Sequence, residues 1–265
     1  MELIDVYNSM FQVVPCDNQE LIRRCQRIRY QVYCVETGFL EVAGPRPVEV
    51  DEFDRHSVHS LLVHRESEMD AGTVRVILPE PDRPDFGFPV MGLSDEYRRL
   101  VEDQVDLRDA VEVSRFAISK DFRKRVTDTL YPDTNPNSDD QANQRRIIPT
   151  MTLGLMYAAV QMTRDAGCTH WLAVMEPTLI RLLDRFGLRF EKAGPPVEYH
   201  GKRQPVHRNL DELLAEVKER RPDVWSVMTG QRLNAIGLKG LPPRRDTDQV
   251  AMTPRPDWAG LPVTA

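Results

Sequence analysis

Four carboxylates crowd a six-residue segment of the chain, EVDEFD, which runs from Glu49 to Asp54. Acidic segments of this kind are most often solvated loops, because water weakens the repulsion between neighbouring carboxylates. The same cluster would bind an ammonium or guanidinium group if the fold brought one to it. The segment is therefore either a surface loop or one half of an ionic site.

A single arginine, Arg75, interrupts the otherwise apolar strand sequence VRVIL. Alternation along a β-strand places Arg75 on the face opposite Val74 and Val76. An arginine in such a strand either lies on a solvated face of the sheet or pairs with a carboxylate. The sequence leaves both interpretations open.

A third candidate is the strand sequence EVSRF, which begins at Glu112. Alternation places Glu112, Ser114 and Phe116 on one face and Arg115 on the other, with ~6.6 Å between Glu112 and Ser114 along the strand. A carboxylate held there can accept a proton from an attacking amine. The competing interpretation is that Glu112 is an ordinary surface residue.

Other residue types offer weaker chemistry. His56, His59 and His64 are close in sequence, but no second cluster completes a metal-ligand spacing. The four cysteines form no Cys-x-x-Cys pair, and none lies at a glycine-flanked turn. A disulfide framework and a cysteine nucleophile are therefore not indicated. The sequence predicts no metal site and no bound cofactor.

The composition is that of an ordinary globular protein: among 265 residues, 41% are hydrophobic and 29% are charged. The formal net charge of -6 does not favour general binding to nucleic acid or to an anionic membrane. The first residues lack the basic and apolar segments of an export signal. No apolar run approaches the ~20 residues of a membrane-spanning helix. We therefore expect a soluble, cytoplasmic protein without a transmembrane segment or a nucleic-acid partner.

Strands and helices alternate in a pattern typical of an α/β domain with a mixed sheet. Residues 57–64 and 72–78 are expected to form a hairpin, because a polar turn joins them. The other predicted strands are residues 10–14, 110–119 and 169–175, and two more around His200-Gly201. The predicted helices are residues 18–35, 95–103, 147–166 and 210–220, and one that Pro177 opens and Gly187 closes.

These elements indicate one domain over residues 1–220. Within it, residues 127–146 form a polar loop that we expect to be flexible. Residues 221–265 are rich in Pro, Arg and Asp, and they are predicted to form a loosely packed C-terminal extension.

Taken in order, these segments resemble the N-acyl amino acid synthases and the acyl-homoserine lactone autoinducer synthases, which are relatives of the GNAT acyltransferase fold. The resemblance is strongest to acyltransferases associated with exosortase and PEP-CTERM sorting systems, and it covers about residues 10–210. RFGLRFEKAGPPVEYHGKRQPV fits the closing region of such domains. The residues that carry the resemblance are Arg29 in RIRYQVYCVETGF, Glu49, Asp51 and Asp54 in EVDEFD, Arg75 in GTVRVILP, and Glu112, Ser114, Arg115 and Phe116 in VEVSRF.

The resemblance implies a GNAT-like mixed β-sheet flanked by helices, and an enzyme in which an amine attacks an acyl thioester directly. The strands 110–119 and 169–175 would splay to admit the acyl donor, helix 147–166 would line the acyl tunnel, and backbone N–H groups of residues 114–116 would stabilise the oxyanion. The implied catalytic residues are Glu112 as proton acceptor, Ser114 and Arg75. The implied substrate-binding residues are Arg29, which orders a lid, and Glu49, Asp51, Asp54, Arg115 and Phe116. In this interpretation Arg75 and Arg115 pair with the acidic cluster and shape the acceptor pocket.

Two departures from these families bear on the substrates. Autoinducer synthases usually carry a tryptophan shortly after the first helix, where this chain has Phe39 and Leu40. This weakens the case for S-adenosylmethionine as acceptor. Many GNAT enzymes hold the pyrophosphate of coenzyme A in a Q/R-x-x-G-x-G/A loop, whereas residues 145–150 contain no glycine. The donor is therefore expected to be an acyl carrier protein rather than acyl-CoA. The basic residues available for that partner are Arg123, Lys124, Arg125, Arg145 and Arg146.

The sequence thus predicts an N-acyltransferase that moves a fatty acyl group from acyl carrier protein, or from CoA, to the amine of an amino acid or a related small molecule. Synthesis of acyl-homoserine lactones is the alternative within the same chemistry. A catalytically silent GNAT-like module that binds lipid or carrier protein is the alternative of another class.

Overall fold

The computed structural model describes residues 2–41, 46–80, 87–122 and 139–231, and for residues 139–146 it describes the backbone alone. Within these ranges, no helix combines the length and the apolar character that crossing a bilayer requires. The helices are α1 (Leu3–Met10), α2 (Gln19–Arg29), α3 (Asp95–Gln104), α4 (Asp139–Asp165), α5 (Pro177–Arg185), α6 (Leu210–Arg220) and α7 (Pro222–Thr229). The strands are β1 (Phe11–Pro15), β2 (Ser57–His64), β3 (Asp70–Ile77), β4 (Ala110–Ile118), β5 (His170–Met175), β6 (Glu191–Lys192), β7 (Val197–Glu198) and β8 (Lys202–Asn209).

The strands form one sheet in the order β1-β2-β3-β4-β5-β8-β6, with β7 paired to β8. Every neighbouring pair is antiparallel except β4 and β5, which run parallel and are connected through α4. The predicted hairpin is present as β2 and β3, and the predicted α/β fold with a mixed sheet flanked by helices is confirmed.

Helices cover both faces of the central strands. Leu61 and Val63 of β2 pack in a cluster with Cys25 and Ile28 of α2. Leu62, which points the other way, lies against Gly154 of α4. Because β3 is sandwiched in the same manner, seven of its eight residues are buried and only Asp70 is partly exposed. A polar side chain on β3 must therefore find a protein partner.

The parallel pair β4 and β5 separates soon after it begins. Pairing joins Ala110, Val111 and Glu112 to the first residues of β5 and extends no further, although β4 continues to Ile118. The predicted splaying of these two strands is confirmed. The gap lies directly beyond Glu112, so this residue marks the point at which the sheet opens.

A β-bulge alters β4 in the same region. Arg75 of β3 pairs with Ser114, whereas Thr73 pairs with Ala117, so residues 115 and 116 together lie opposite one β3 residue. Arg115 has a φ of +48°, in the left-handed region that non-glycine residues seldom adopt. A bulge breaks the two-residue alternation of side chains and leaves one residue outside the ladder.

The predicted boundary at residue 220 is wrong. Helix α7 follows directly, with Pro222 in its first turn and Gly230 in the left-handed conformation at its end. Val224, Trp225 and Met228 are buried, so this helix is part of the core. Residues 232–265 lie outside the described part of the chain.

Two other boundaries differ from the expectation. Helix α4 begins at Asp139, so the last eight residues of the predicted 127–146 loop are helical. The predicted helix over residues 18–35 consists of α2, capped by Asn18, and a π-helix from Tyr30 to Glu36. Helix α1 was not predicted.

Candidate active site

The acidic segment is ordered by its own backbone. Asp51 and Asp54 cap the 3-10 helix Glu52–His56 reciprocally: the N–H of Phe53 donates to Asp51 at 3.0 Å, and the N–H of Asp51 donates to Asp54 at 3.2 Å. This is a capping box, in which the residue that starts the turn and the one three positions later bind each other's N–H groups. The segment is therefore not a solvated loop, and its carboxylates have fixed positions.

Arg29 approaches this segment from the end of α2. Its side chain is completely buried, and its guanidinium donates to Glu49 and, at 2.6 Å, to Asp54. The N–H of Glu49 in turn donates to the carbonyl of Gln26 at 3.1 Å. These contacts tie the acidic segment to helix α2.

Arg75 binds the same carboxylates from the sheet. Its Nη1 donates to Asp51 at 2.5 Å and to Asp54 at 2.8 Å, while its Nε donates to the hydroxyl of Ser114 at 3.0 Å. Arg75 is 1% exposed, so of the two interpretations left open by the sequence, pairing with carboxylates is correct.

Arg115 also binds the acidic segment, although strict alternation along β4 would place it on the other face. Alternation predicted that Arg115 points away from Ser114, and this is wrong because the bulge turns it toward the acidic segment. Its Nη2 donates to Glu49 at 3.0 Å and to Asp51 at 2.9 Å. Its guanidinium carbon also lies 5.6 Å from the centroid of the Tyr33 ring.

The result is a closed ionic network of three arginines and three carboxylates, which we call the ionic network: Arg29, Arg75, Arg115, Glu49, Asp51 and Asp54. Burial raises the pKa of Glu49 and of Asp54, but the neighbouring arginines outweigh burial and hold both pKa values below their usual range. Glu49 and Asp54 are therefore ionised near neutral pH, and in formal charge the three arginines of the network balance its three carboxylates.

Glu112 is a carboxylate outside this network. It is 4% exposed, and the N–H of Val90 donates to its Oε2 at 2.9 Å. Burial raises the pKa of Glu112 to about 7, although the Val90 hydrogen bond and the charges of Arg75 and Arg115 act in the opposite direction. A carboxylate with this pKa exchanges protons readily at neutral pH.

A cavity of about 460 Å³ fills the gap between β4 and β5. Its wall contains Glu112 and Ser114 together with Asp51, the one acidic member of the ionic network that reaches it, and Phe116 adds an apolar surface. Its apolar part includes the side chains of Met156, Trp171, Leu179, Leu183 and Phe190. This shape, largely apolar with a few polar groups, suits a small molecule with an aliphatic chain.

The predicted site residues divide into two sets. Those that line the cavity are Asp51, Arg75, Glu112, Ser114, Arg115 and Phe116. Arg29, Glu49 and Asp54 do not line it, and they hold the lining members of the network from behind. Helix α4 was predicted to line an acyl tunnel. Among its described side chains, that of Met156 reaches the cavity.

Several site residues were missed by the sequence. His59 lies opposite Arg75 in the β2–β3 ladder, with Nε2 3.8 Å from Asp54. Burial lowers its pKa to about 4, so the ring is neutral. His59 could have been found from the pairing of β2 with β3, which places it beside Arg75. Nothing in the sequence around Tyr33 or Val90 indicates that they belong to the site. No metal-binding cluster of His, Cys, Asp or Glu occurs within the described ranges.

The basic residues expected to contact a carrier protein cannot be placed. Arg123, Lys124 and Arg125, and the side chains of Arg145 and Arg146, lie outside the described residues. The same holds for the side chain of every residue from 139 to 146 at the start of α4.

Residues 28–132 of the chain match the family model described as an acetyltransferase (GNAT) domain. That segment contains every predicted site residue from Arg29 to Phe116. No curated protein matches the chain.

Solved structures share the fold over most of the chain. TofI, in a ternary complex with an inhibitor and MTA, has a TM-score of 0.55 and 18% identity over 78% of this chain and 96% of its own. The AHL synthase LasI has a TM-score of 0.52 and 17% identity over 84% of this chain and 95% of its own. MesI, a CoA-dependent acyl-homoserine lactone synthase, has a TM-score of 0.50 and 18% identity over 87% and 97%. The match over residues 28–132 and the shared folds confirm the predicted GNAT-like mixed sheet, and they bear out the predicted acyltransferase class.

Proposed function

We propose that this enzyme transfers a fatty acyl group from a carrier thioester to the amine of an amino acid or a related small molecule. The observation that supports this most is Glu112, a buried carboxylate with a pKa of about 7 at the wall of a largely apolar cavity. The cavity accommodates an aliphatic chain, and the carboxylate provides a proton acceptor where the chain's carbonyl would lie.

In the proposed reaction, the amine nitrogen attacks the thioester carbonyl carbon, and a carbon–nitrogen bond forms. Glu112 accepts a proton from the attacking nitrogen, directly or through one water molecule. The tetrahedral intermediate then collapses, the carbon–sulfur bond breaks, and the sulfur leaves as a thiol after taking up a proton. No covalent acyl-enzyme is required, and Ser114 serves as the acceptor for the Nε–H of Arg75.

The bulge in β4 supplies the oxyanion site in this proposal. Residues 115 and 116 lie opposite one β3 residue, so one of their N–H groups is not needed by the ladder. A backbone donor at the edge of the cavity would stabilise negative charge on the carbonyl oxygen in the transition state. The positive φ of Arg115 is the local strain that accompanies this arrangement.

The ionic network positions this wall rather than reacting. Arg29 and Glu49 are buried behind Arg75 and Arg115. Glu49 binds Arg115 directly, and Arg29 shares Asp54 with Arg75, so these contacts hold both arginines, and with them Asp51, at the cavity. Asp51 is 22% exposed on its side chain, more than Glu49 or Asp54. We assign to Asp51 the recognition of the acceptor's ammonium group before it loses its proton.

We propose acyl carrier protein as the donor, because residues 145–150 lack the glycines that cradle the pyrophosphate of coenzyme A. MesI, which shares the fold, is described as CoA-dependent, so both donors belong in the assay. The association with exosortase sorting systems, suggested by sequence resemblance, stays a prediction.

The test is mass spectrometry of lipid extracts from cells that overproduce the chain, with Glu112→Gln as the matched control. An N-acyl amino acid present only with the native enzyme would support the proposal and identify both substrates. If the product were an acyl-homoserine lactone, the proposed acyl transfer to an amine would stand, but the proposed acceptor would be wrong. If folded native enzyme yielded no new acylated amine, either in cells or with acyl carrier protein and acyl-CoA in vitro, the proposal would be wrong.

A further inference from the structure

The mouth of the cavity carries an aromatic collar, formed by Phe39, Tyr199 and His200. Phe39 and Tyr199 are 36% and 37% exposed, so both rings present part of their surface to solvent. The His200 ring lies between them, with centroid distances of 6.2 Å to Phe39 and 4.8 Å to Tyr199. All three line the cavity, although they come from the segment after the π-helix and from the turn between β7 and β8.

Arg203 lies against this collar. Its guanidinium carbon is 5.3 Å from the centroid of the Phe39 ring, within the range of a cation–π contact. Its other polar contact is a weak one, from Nη1 to the carbonyl of Lys202 at 3.4 Å. The turn that precedes it is held by two left-handed residues, His200 and Gly201. Arg203 is thus positioned by stacking and by a defined turn rather than by an acid.

The other arginines of the cavity differ in their partners. Arg75 and Arg115 are each bound to two carboxylates of the ionic network. For Arg203, the described part of the chain provides no carboxylate within 4.0 Å of its guanidinium nitrogens. Among the three arginines that line the cavity, Arg203 is therefore the one without a carboxylate within 4.0 Å among the described residues.

We infer that Arg203 binds an anionic group of the acceptor, and that the acceptor is an amine bearing a carboxylate. A guanidinium presents two parallel N–H groups that match the two oxygens of a carboxylate. Because stacking on Phe39 already restricts the side chain, binding orders it at a smaller cost in entropy. The amine of the same molecule would then point inward, toward Asp51 and Glu112.

This inference rests on the proposed function, and it is tested with paired acceptors. Purified full-length enzyme is assayed with a dodecanoyl thioester on acyl carrier protein or on CoA. Each of several amino acids is compared with its primary amide, which keeps the amine and loses the negative charge. Comparing the acid-to-amide ratio between variants cancels the difference in intrinsic reactivity of the two amines.

For Arg203→Met we expect KM for the acids to rise about 10- to 100-fold, which is the range for loss of a hydrogen bond to a charged group. The kcat values and the KM for the amides should not change. The KM of Arg203→Lys for the acids should lie between those of the native enzyme and Arg203→Met, because lysine keeps the charge and loses the paired N–H groups. Lys202→Met, the adjacent exposed position, is the control and should match the native enzyme.

Two results would overturn the inference while leaving the proposed function intact. The first is an equal loss on acids and amides in Arg203→Met. The second is a rise in KM for the thioester donor instead of the acceptor, since Arg203 would then bind a phosphate of the donor. If the native enzyme made no N-acyl product from any acid or amide with either donor, the proposed function itself would fail.

Discussion

The backbone N–H of Val90 donates a hydrogen bond to Oε2 of Glu112, with a nitrogen–oxygen distance of 2.9 Å. Val90 belongs to a 3-10 turn, Pro89–Gly92, that packs over the end of the paired region of β4. The contact holds the carboxylate in one orientation and engages a single oxygen. Because burial outweighs this hydrogen bond, the group still binds a proton near neutral pH.

Replacing Glu112 by Gln should lower kcat/KM about 10²- to 10⁴-fold, the usual contribution of general acid–base catalysis. The amide of Gln still offers an oxygen to the Val90 N–H, so the fold should be retained. The measurement is product formation alongside the melting temperature. Glu20→Gln, at an exposed position of α2, is the control and should leave both unchanged. A Glu112→Gln enzyme with native turnover would exclude the proposed role.

The same substitution should change how stability depends on pH. The folded pKa of Glu112 is raised from 4.5 to about 7, so the folded state binds the proton more tightly than the unfolded chain. Stability from this group is therefore present below pH 4.5 and is lost as pH rises toward 7. Relative to native protein, Glu112→Gln should gain roughly 2–3 kcal/mol in the free energy of unfolding between pH 5 and pH 8.

Urea unfolding of both proteins at pH 5 and pH 8 measures this difference. The native protein should be the less stable of the two at pH 8, and the two should converge as the solution is acidified. A difference independent of pH would mean that Glu112 does not titrate in this interval.

The elements that the sequence predicted well are those with local signals. The β2–β3 hairpin follows from a polar turn, and α5 follows from Pro177 at its start and Gly187, with a φ of +80°, after its end. Helix α7 has the same two signals, Pro222 and Gly230. It was missed because the surrounding segment is rich in Arg and Pro, which suggested an extension rather than a core helix.

The site was predicted in its residue types and in the pairing of Arg75 and Arg115 with the acidic segment, but the pairing of Arg29 with that segment was not predicted. The segment EVDEFD could bind a cation or remain a solvated loop, and nothing local specifies that Arg29 reaches it together with Arg75 and Arg115. Their positions depend on the packing of α2 on the sheet and on the register of β3 with β4. Arg115 shows the limit most clearly, because a one-residue bulge reversed the face that alternation assigned to it.

Breaking the ionic network at its shared carboxylate should destabilise the fold. Asp54 accepts hydrogen bonds from Arg29 at 2.6 Å and from Arg75 at 2.8 Å. Asp54→Asn removes one charge, leaves two buried arginines undercompensated, and should lower the free energy of unfolding by about 3–5 kcal/mol. Urea unfolding at pH 7 measures the loss, and Asn retains an oxygen for the capping N–H of Asp51.

The pH dependence of this effect has the opposite sign to that of Glu112. The folded pKa of Asp54 is depressed, so its contribution is present above the unfolded value of 3.8 and is lost as pH falls. The control is Asp184→Asn, whose ion pair with Arg189 is 59% exposed on both sides and should change stability by less than about 1 kcal/mol. Equal effects at positions 54 and 184 would contradict a buried network.

The last prediction connects packing to the site through Gly72. A Cβ at this position would lie 2.7 Å from the carbonyl oxygen of Ala117 and 3.3 Å from a methyl of Leu155. The carbonyl belongs to β4 directly after the bulge, so it cannot retreat without disturbing the pairing that places Arg115. Gly72→Ala should therefore lower the free energy of unfolding by about 1–3 kcal/mol and also reduce turnover. Gly87→Ala is the control, because among the described residues no atom lies within 4 Å of the added Cβ, and it should preserve both stability and turnover. If Gly72→Ala lost stability but kept full turnover, the register of β4 near the bulge would not be what positions the proposed oxyanion site.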